Sequence, residues 1–462
     1  MKHPIGEPYC EAKPFPEMLS VITDPRLEVF QVTTDLDQTG DSRSGFFSPD
    51  GRRFIFRRGE ARTHGRTYWC LCDLDAGFQL RNVTDPDDRP AAPFLSADGK
   101  HLYYFQDFSH EPSPRIKLCR VDLHSFRTET LTVFDAEVPG IGRRPRAGGK
   151  QHRHPRGMTQ GASLRADGKK AIAGFNFVGD DGEDHFAPVI VDLETLGIHG
   201  FEWEPYSWRV GGTYFPGQNP LHRGHILMGR ALRSQAWDAQ GKQIQEFYAL
   251  RDGRLVKLPD GKSHTGGTLH VVTEEGAIVG TVPIGKYDGE GLDHPCWRGG
   301  KYEVVAHSQD FVSAPHLRIT IRSAAPVACS PEHYLEGKRI PGGRSVDLTR
   351  NFTRPDVCHQ SWHVDGIHAA FDTEGWSGRG TPCLQGPSAF LYLGKVVEKP
   401  GADPYLVTKY LLHPRSSWSW AAVENCQNLA PDLKHVFFNS DWTCTIGAPQ
   451  LFVTRGFTFP EV

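Results

Sequence analysis

The chain has 462 residues, a formal net charge of −3 and a hydrophobic fraction of 38%. The near-neutral, mixed-sign balance excludes an extended nucleic-acid or anionic-membrane surface. No run approaches the ~18 consecutive apolar residues that a transmembrane helix needs.

Gly (49) and Pro (34) exceed ordinary usage, as many short strands joined by turns require. The opening segment MKHPIGEPYCEAKPFPEML lacks an apolar signal core. The ten Cys are scattered without a paired C-x-x-C. Both features predict a reduced, cytoplasmic protein, or a periplasmic or secreted one if a signal peptide was removed before this numbering starts. Cys70 and Cys72 are expected on one face of a strand, as buried thiols.

The first predicted strand, Leu27–Thr33 (LEVFQVT), precedes a recurring unit: an apolar pair, a Ser/Ala/Pro-Asp-Gly turn, then an alternating strand. In chain order the copies are FFSPDGRRFIF at Phe46, FLSADGKHLYYF at Phe94 and SLRADGKKAIAGF at Ser163. They continue as TYFPGQNPLHRGHILMGRA at Thr213, with a longer turn, VVTEEGAIVGTV at Val271, SWHVDGIHAAF at Ser361 and NLAPDLKHVFF at Asn428. Gly in such a turn takes φ > 0 and Asp bonds back to the backbone, so each unit predicts a hairpin. Two weaker strands joined by an Asp-Leu turn follow in several copies, as in IKLCRVDLHSFRTETLTV. Four antiparallel strands per unit is a propeller blade. The predicted fold is all-β, a seven-bladed β-propeller forming a single domain over residues 1–462. Blade repeats run from about residue 42, and an insertion is expected at 285–355. Leu27–Thr33 is expected to complete the last blade and close the ring.

In a propeller the innermost strand of each blade lines the channel. The residues preceding each apolar pair are His152, His154, Arg156 and Gln160, then Arg209 and Tyr214, with Arg230 on the return strand. They continue as His264 and His270, then Cys358, His359, Gln360 and His363, and finally Trp418, Trp420, Glu424, Asn425 and Gln427. Imidazoles converging from separate blades read as metal ligands or acid–base groups. His185, in the acidic stretch GDDGEDHFAP, and the pair His294 and Cys296 in DHPCWRGG carry the same chemistry. His222 and His225 are expected to be solvated turn residues. The basic run Arg143–Arg156 fits a solvated loop or a rim attracting an anionic substrate.

These features resemble the propeller-type polysaccharide lyases. The last unit, CQNLAPDLKHVFFNSDWTCTIGAPQLFV, is similar to the ending of oligogalacturonate lyases. The Thr213 unit is similar to the strand pair of propeller ulvan lyases, in which a Tyr and an Arg act on the uronate. The resemblance covers the repeat skeleton along most of the chain. It implies β-elimination on a 4-linked, uronic-acid-containing oligo- or polysaccharide. The catalytic candidates are then His154, His185, Tyr214 and Arg230. Arg156, Gln160, Arg209, Trp418, Trp420 and Gln427 would bind substrate. A divalent metal (zinc, or manganese or calcium) would be held by residues drawn from His264, His294, Cys296 and His359. Oligogalacturonate lyases carry a Gln and two His before the closing repeat, binding manganese. The corresponding stretch here, Glu424, Asn425, Cys426 and Gln427, has no His. The implied partner is an acidic glycan, with no nucleic acid and no membrane. Two other readings are a non-catalytic binding propeller and a propeller glycosidase; paired glycosidase carboxylates are not evident. A serine peptidase would need a G-x-S-x-G elbow on a second domain, and none occurs.

Overall fold

The computed structural model describes residues 3–35, 38–60, 66–108, 115–141, 155–178, 184–201, 203, 212–231, 233–237, 243–251, 254–257, 267–282, 290–310, 319–328, 345–351, 357–373, 390–416, 428–443 and 448–462. Among them, no helix is long and apolar enough to cross a membrane. The architecture is an all-β propeller. The described residues form six four-stranded sheets, one five-stranded sheet and a three-stranded side sheet.

The first sheet comprises Gln38–Phe47, Arg53–Glu60, Thr67–Asp73 and Gln79–Asn82. The second comprises Pro90–Leu95, His101–Asp107, Ile116–Asp122 and Thr128–Phe134. The third comprises Pro155–Leu164, Lys170–Val178, Asp184–Asp192 and Ile198–Gly200. The fourth comprises Thr213–Tyr214, Ile226–Ala231, Gly267–Val272 and Ile278–Thr281. The side sheet, Arg233–Trp237, Gln243–Arg251 and Arg254–Lys257, is inserted within it. The fifth comprises Glu290–Trp297, Val304–Asp310, Ile319–Ala324 and Ser345–Asp347. The sixth comprises Val357–Trp362, His368–Thr373, Leu391–Val397 and Tyr405–Leu412.

The five-stranded sheet closes the ring. Asn428–Leu429, Val436–Ser440 and Gln450–Arg455 come from the C-terminus. Glu28–Gln31 pairs antiparallel with Gln450–Arg455, Val29 opposite Thr454, and Lys13–Pro14 adds the outer edge. The apolar segment at Leu27–Thr33 thus closes the ring as its pattern suggested.

The cores lie between sheets. In the first sheet Phe54 and Phe56 pack toward Phe437 and Val453 of the closing sheet, while Ile55 packs toward Leu102 and Tyr104 of the second. A strand buried on both faces needs apolar residues at successive positions, which FIF supplies. Cys70 and Cys72 share the first of these cores, and burial pushes the Cys70 thiol up to about 11. Similar cores join second to third, third to fourth, fourth to fifth, fifth to sixth and sixth to closing sheet, so the series returns to its start.

In the first two sheets the inner turn is held by its Asp. In the first sheet Asp50 Oδ1 accepts from Ser48 Oγ at 2.5 Å and from the Arg52 amide at 3.1 Å. Gly51 adopts φ +71°. The second sheet repeats this with Ser96, Asp98 and Gly99.

Two sequence expectations are corrected. VVTEEGAIVGTV is not an inner hairpin: Gly267–Val272 pairs with Ile278–Thr281, the third and fourth strands of its sheet. The strands Glu290–Trp297, Val304–Asp310, Ile319–Ala324 and Ser345–Asp347, expected within an insertion, form the fifth four-stranded sheet, whose inner turn is Arg298-Gly299-Gly300. The Asp-Gly signature is absent there; Gly299, at φ +52°, supplies the conformational freedom instead.

Candidate channel site

Five of the inner strands share a departure from regular pairing. The register between first and second strands shifts between Asp41 and Phe46, Ala91 and Phe94, Met158 and Ala162, Asp293 and Cys296, and Val357 and Gln360. A bulge re-aims side chains and is common beside functional sites. Within these bulges Ala92 has φ +44°, Gly161 φ +97° and His294 φ +46°. A left-handed histidine is strained backbone, held in place by its surroundings.

Two bulges in neighbouring sheets bring histidines together. His294, exposed on the fifth sheet, and His359, on the sixth, have ring centroids 4.7 Å apart. Gln360 Nε2 donates to the His294 carbonyl at 3.1 Å, and Trp362 Nε1 donates to Gln360 Oε1 at 2.9 Å. Asp372, fully buried on the adjacent strand, fixes His359 twice. Its Oδ1 accepts the His359 amide at 2.9 Å, and its Oδ2 lies 2.9 Å from Nδ1. A carboxylate on Nδ1 places the proton there and leaves ligand chemistry to Nε2. Two imidazoles on one ion at about 2.1 Å, roughly 90–110° apart, have ring centres about 4.5–5.3 Å from each other. The His294–His359 spacing fits that arrangement.

Cys296 does not join them. It packs among Val305, Val357 and Phe371, and burial pushes its thiol up to about 12.

Across the inner strands, Asn439 Oδ1 accepts the Ser42 amide at 2.8 Å and its Nδ2 donates to Asp41 Oδ1 at 3.2 Å. Arg57 pairs with Asp41 and keeps part of its surface open. Asn428 Nδ2 donates to the Ser42 carbonyl at 2.7 Å. The first two strands of these sheets thus carry imidazole, guanidinium, amide and carboxylate groups.

The remaining candidates fall as follows. Tyr214 is 1% exposed in the core between third and fourth sheets. Its hydroxyl donates to Glu274 Oε1 at 3.1 Å, a carboxylate also bound by Arg165 and Lys170. Burial and that neighbouring carboxylate raise the phenol far above its ordinary range. The structure thus places the Tyr214 hydroxyl on Glu274, in the core between the third and fourth sheets. Arg230 pairs by backbone with Thr268, four residues along the strand from Ile226, Tyr214's partner; at ~3.3 Å per residue the two sites are about 13 Å apart. His185 pairs with Phe177, while Arg156 and Gln160 belong to Pro155–Leu164. For Arg156, Gln160, His185 and Arg230 the backbone alone is described. His154, Arg209, His264, Trp418, Trp420 and Gln427 lie outside the described residues.

His270, expected at the channel, is fully buried with Nδ1 3.0 Å from Thr281 Oγ1. His222 and His225, expected to be solvated, pack on Tyr302: His222 stacks at 3.8 Å and His225 Nδ1 lies 2.7 Å from its hydroxyl. His363 sits in the turn after its inner strand. The residues missed from sequence were Asp372, Asp41, Arg57 and Asn439. Asp372 had a signal: a lone carboxylate ending the apolar strand HAAFDT.

No family model matches the chain, and no curated protein does. Solved structures do match. An oligogalacturonate lyase in complex with manganese aligns at TM-score 0.58 and 16% identity, over 99% of this chain and 98% of that one. An oligogalacturonate lyase from Vibrio parahaemolyticus aligns at TM-score 0.54 and 14% identity, over 98% of both chains. At such identities the likeness is one of fold.

Proposed function

We propose that this chain is a propeller lyase that cleaves a 4-linked, uronate-containing oligosaccharide by β-elimination. The observation that carries this reading is the His294–His359 pair, backed by Asp372, on neighbouring inner strands. Its setting is a fold that aligns end to end with oligogalacturonate lyases. We read the ring as seven-bladed, counting the five-stranded closing sheet with the six four-stranded ones.

The C5 proton of a uronate is barely acidic while the adjacent carboxylate keeps its charge. A divalent cation held by His294 and His359 would neutralise that carboxylate and stabilise the enolate. Arg230 is proposed to add positive charge on the fourth sheet. The proton at C5 is assigned to His154 or His185, neutral imidazole being a base matched to neutral pH. The leaving O4 takes its proton from a second such group.

The test is a panel of polyuronates and their oligomers, followed by ultraviolet absorbance of the C4–C5 unsaturated product. Absorbance that rises on one substrate supports the lyase. New reducing ends without absorbance would mean hydrolysis, and binding without either would mean a binding propeller.

A further inference from the structure

In the sixth sheet, the turn that follows the strand of His359 departs from its siblings. Where the first and second sheets place a Ser hydroxyl that donates to the turn Asp, the sixth places His363. Its Nδ1 lies 2.9 Å from Asp365 Oδ2. His368 Nδ1 lies 2.7 Å from that same oxygen. All three side chains keep part of their surface open to solvent.

The hydrogen bonds around His363 set its lone pair. Nε2 lies 3.2 Å from the Pro431 carbonyl, which can only accept, so Nε2 carries a proton. The Asp365 amide donates to Nδ1 at 3.3 Å, which marks Nδ1 as an acceptor in the neutral ring. Nδ1 then faces a carboxylate oxygen with lone pair against lone pair. A cation relieves that contact. The ligand atoms of His363, Asp365 and His368 all lie within 4.8 Å of one another.

We propose that His363 Nδ1, Asp365 Oδ2 and His368 Nδ1 form a second metal site, for a zinc-class divalent ion completed by water. Two imidazoles and one carboxylate suit that class. The Pro431 carbonyl on His363 Nε2 supplies the outer-shell partner that such ligands have. Pro431 belongs to the closing sheet's turn, so the ion would clamp the sixth sheet to the closing one. The site is independent of the channel and of the lyase reading.

The experiment uses the full chain, stripped with chelator and titrated with cobalt(II), read by visible absorbance and bound-metal stoichiometry. In the variant His294→Ala/His359→Ala one equivalent is expected to remain. Adding His368→Ala, or His363→Ala in its place, is expected to weaken that equivalent about 10- to 100-fold or more, with unchanged far-ultraviolet circular dichroism as the folding control. Absence of bound cobalt in the channel double variant, or retention of equal affinity in both triple variants, would overturn the proposal. In that outcome His363 is an imidazolium paired with Asp365.

Discussion

A carboxylate buried beneath an imidazole decides which ring nitrogen meets the channel, and Asp372 does this for His359 through both the ring and the backbone amide. Asp372→Asn keeps the shape but weakens that control. We expect metal affinity at the channel to fall about 10- to 100-fold, measured by titration of the stripped protein, with the fold intact. Tyr214→Phe separates two accounts of the fourth sheet. Its hydroxyl holds Glu274 rather than substrate. The substitution should therefore cost about 1 kcal/mol in denaturant unfolding and leave turnover within about twofold; loss of turnover without loss of stability would restore Tyr214 to the reaction. The sequence paired Tyr214 with Arg230 because strand neighbours were assumed to meet. Residue counting along the strand, which needs the register, sets them apart.

At the level of the hairpin, Asp-Gly turns were legible because each needs a left-handed residue and a capping carboxylate. Where other chemistry makes the same turn, at Gly299 in the fifth sheet, the signal vanished; in the closing sheet, where Leu433 takes φ +56° in place of glycine, Asp432 kept it legible. The false copy at Val271 has the same cause, since Gly276 at φ +82° serves a different hairpin. The glycines differ in what surrounds them. A Cβ on Gly77, at φ +67°, meets nothing within 4 Å, whereas on Gly366, at φ +66°, it would lie 2.8 Å from the Arg298 carbonyl. Gly77→Ala should cost only the left-handed strain, about 1 kcal/mol. Gly366→Ala should cost clearly more, about 2–4 kcal/mol. Equal losses in chemical unfolding would mean that the turn of the sixth sheet does not abut the fifth as described.

For the whole ring, stability depends on closure. Phe15, Met18, Leu27 and Val29 are buried against the sixth and closing sheets, and each buried side chain of this size is worth about 1.5–3 kcal/mol. Their sum is comparable with the total stability of a domain, so deleting residues 1–33 should give a chain that no longer unfolds cooperatively. A truncated protein with an unchanged melting temperature would contradict closure by Glu28–Gln31. The propeller was legible in sequence because its units repeat; the channel site was legible only in residue type, because bulges, not strand periodicity, aim His294 and His359. The most direct test of the lyase account is the initial rate of unsaturated-uronate absorbance on whichever oligosaccharide is cleaved, compared between wild type and His294→Ala/His359→Ala. The account predicts a fall of at least about 100-fold, in keeping with the removal of an electrostatic stabiliser of the enolate. An unchanged rate in the folded double variant would contradict it.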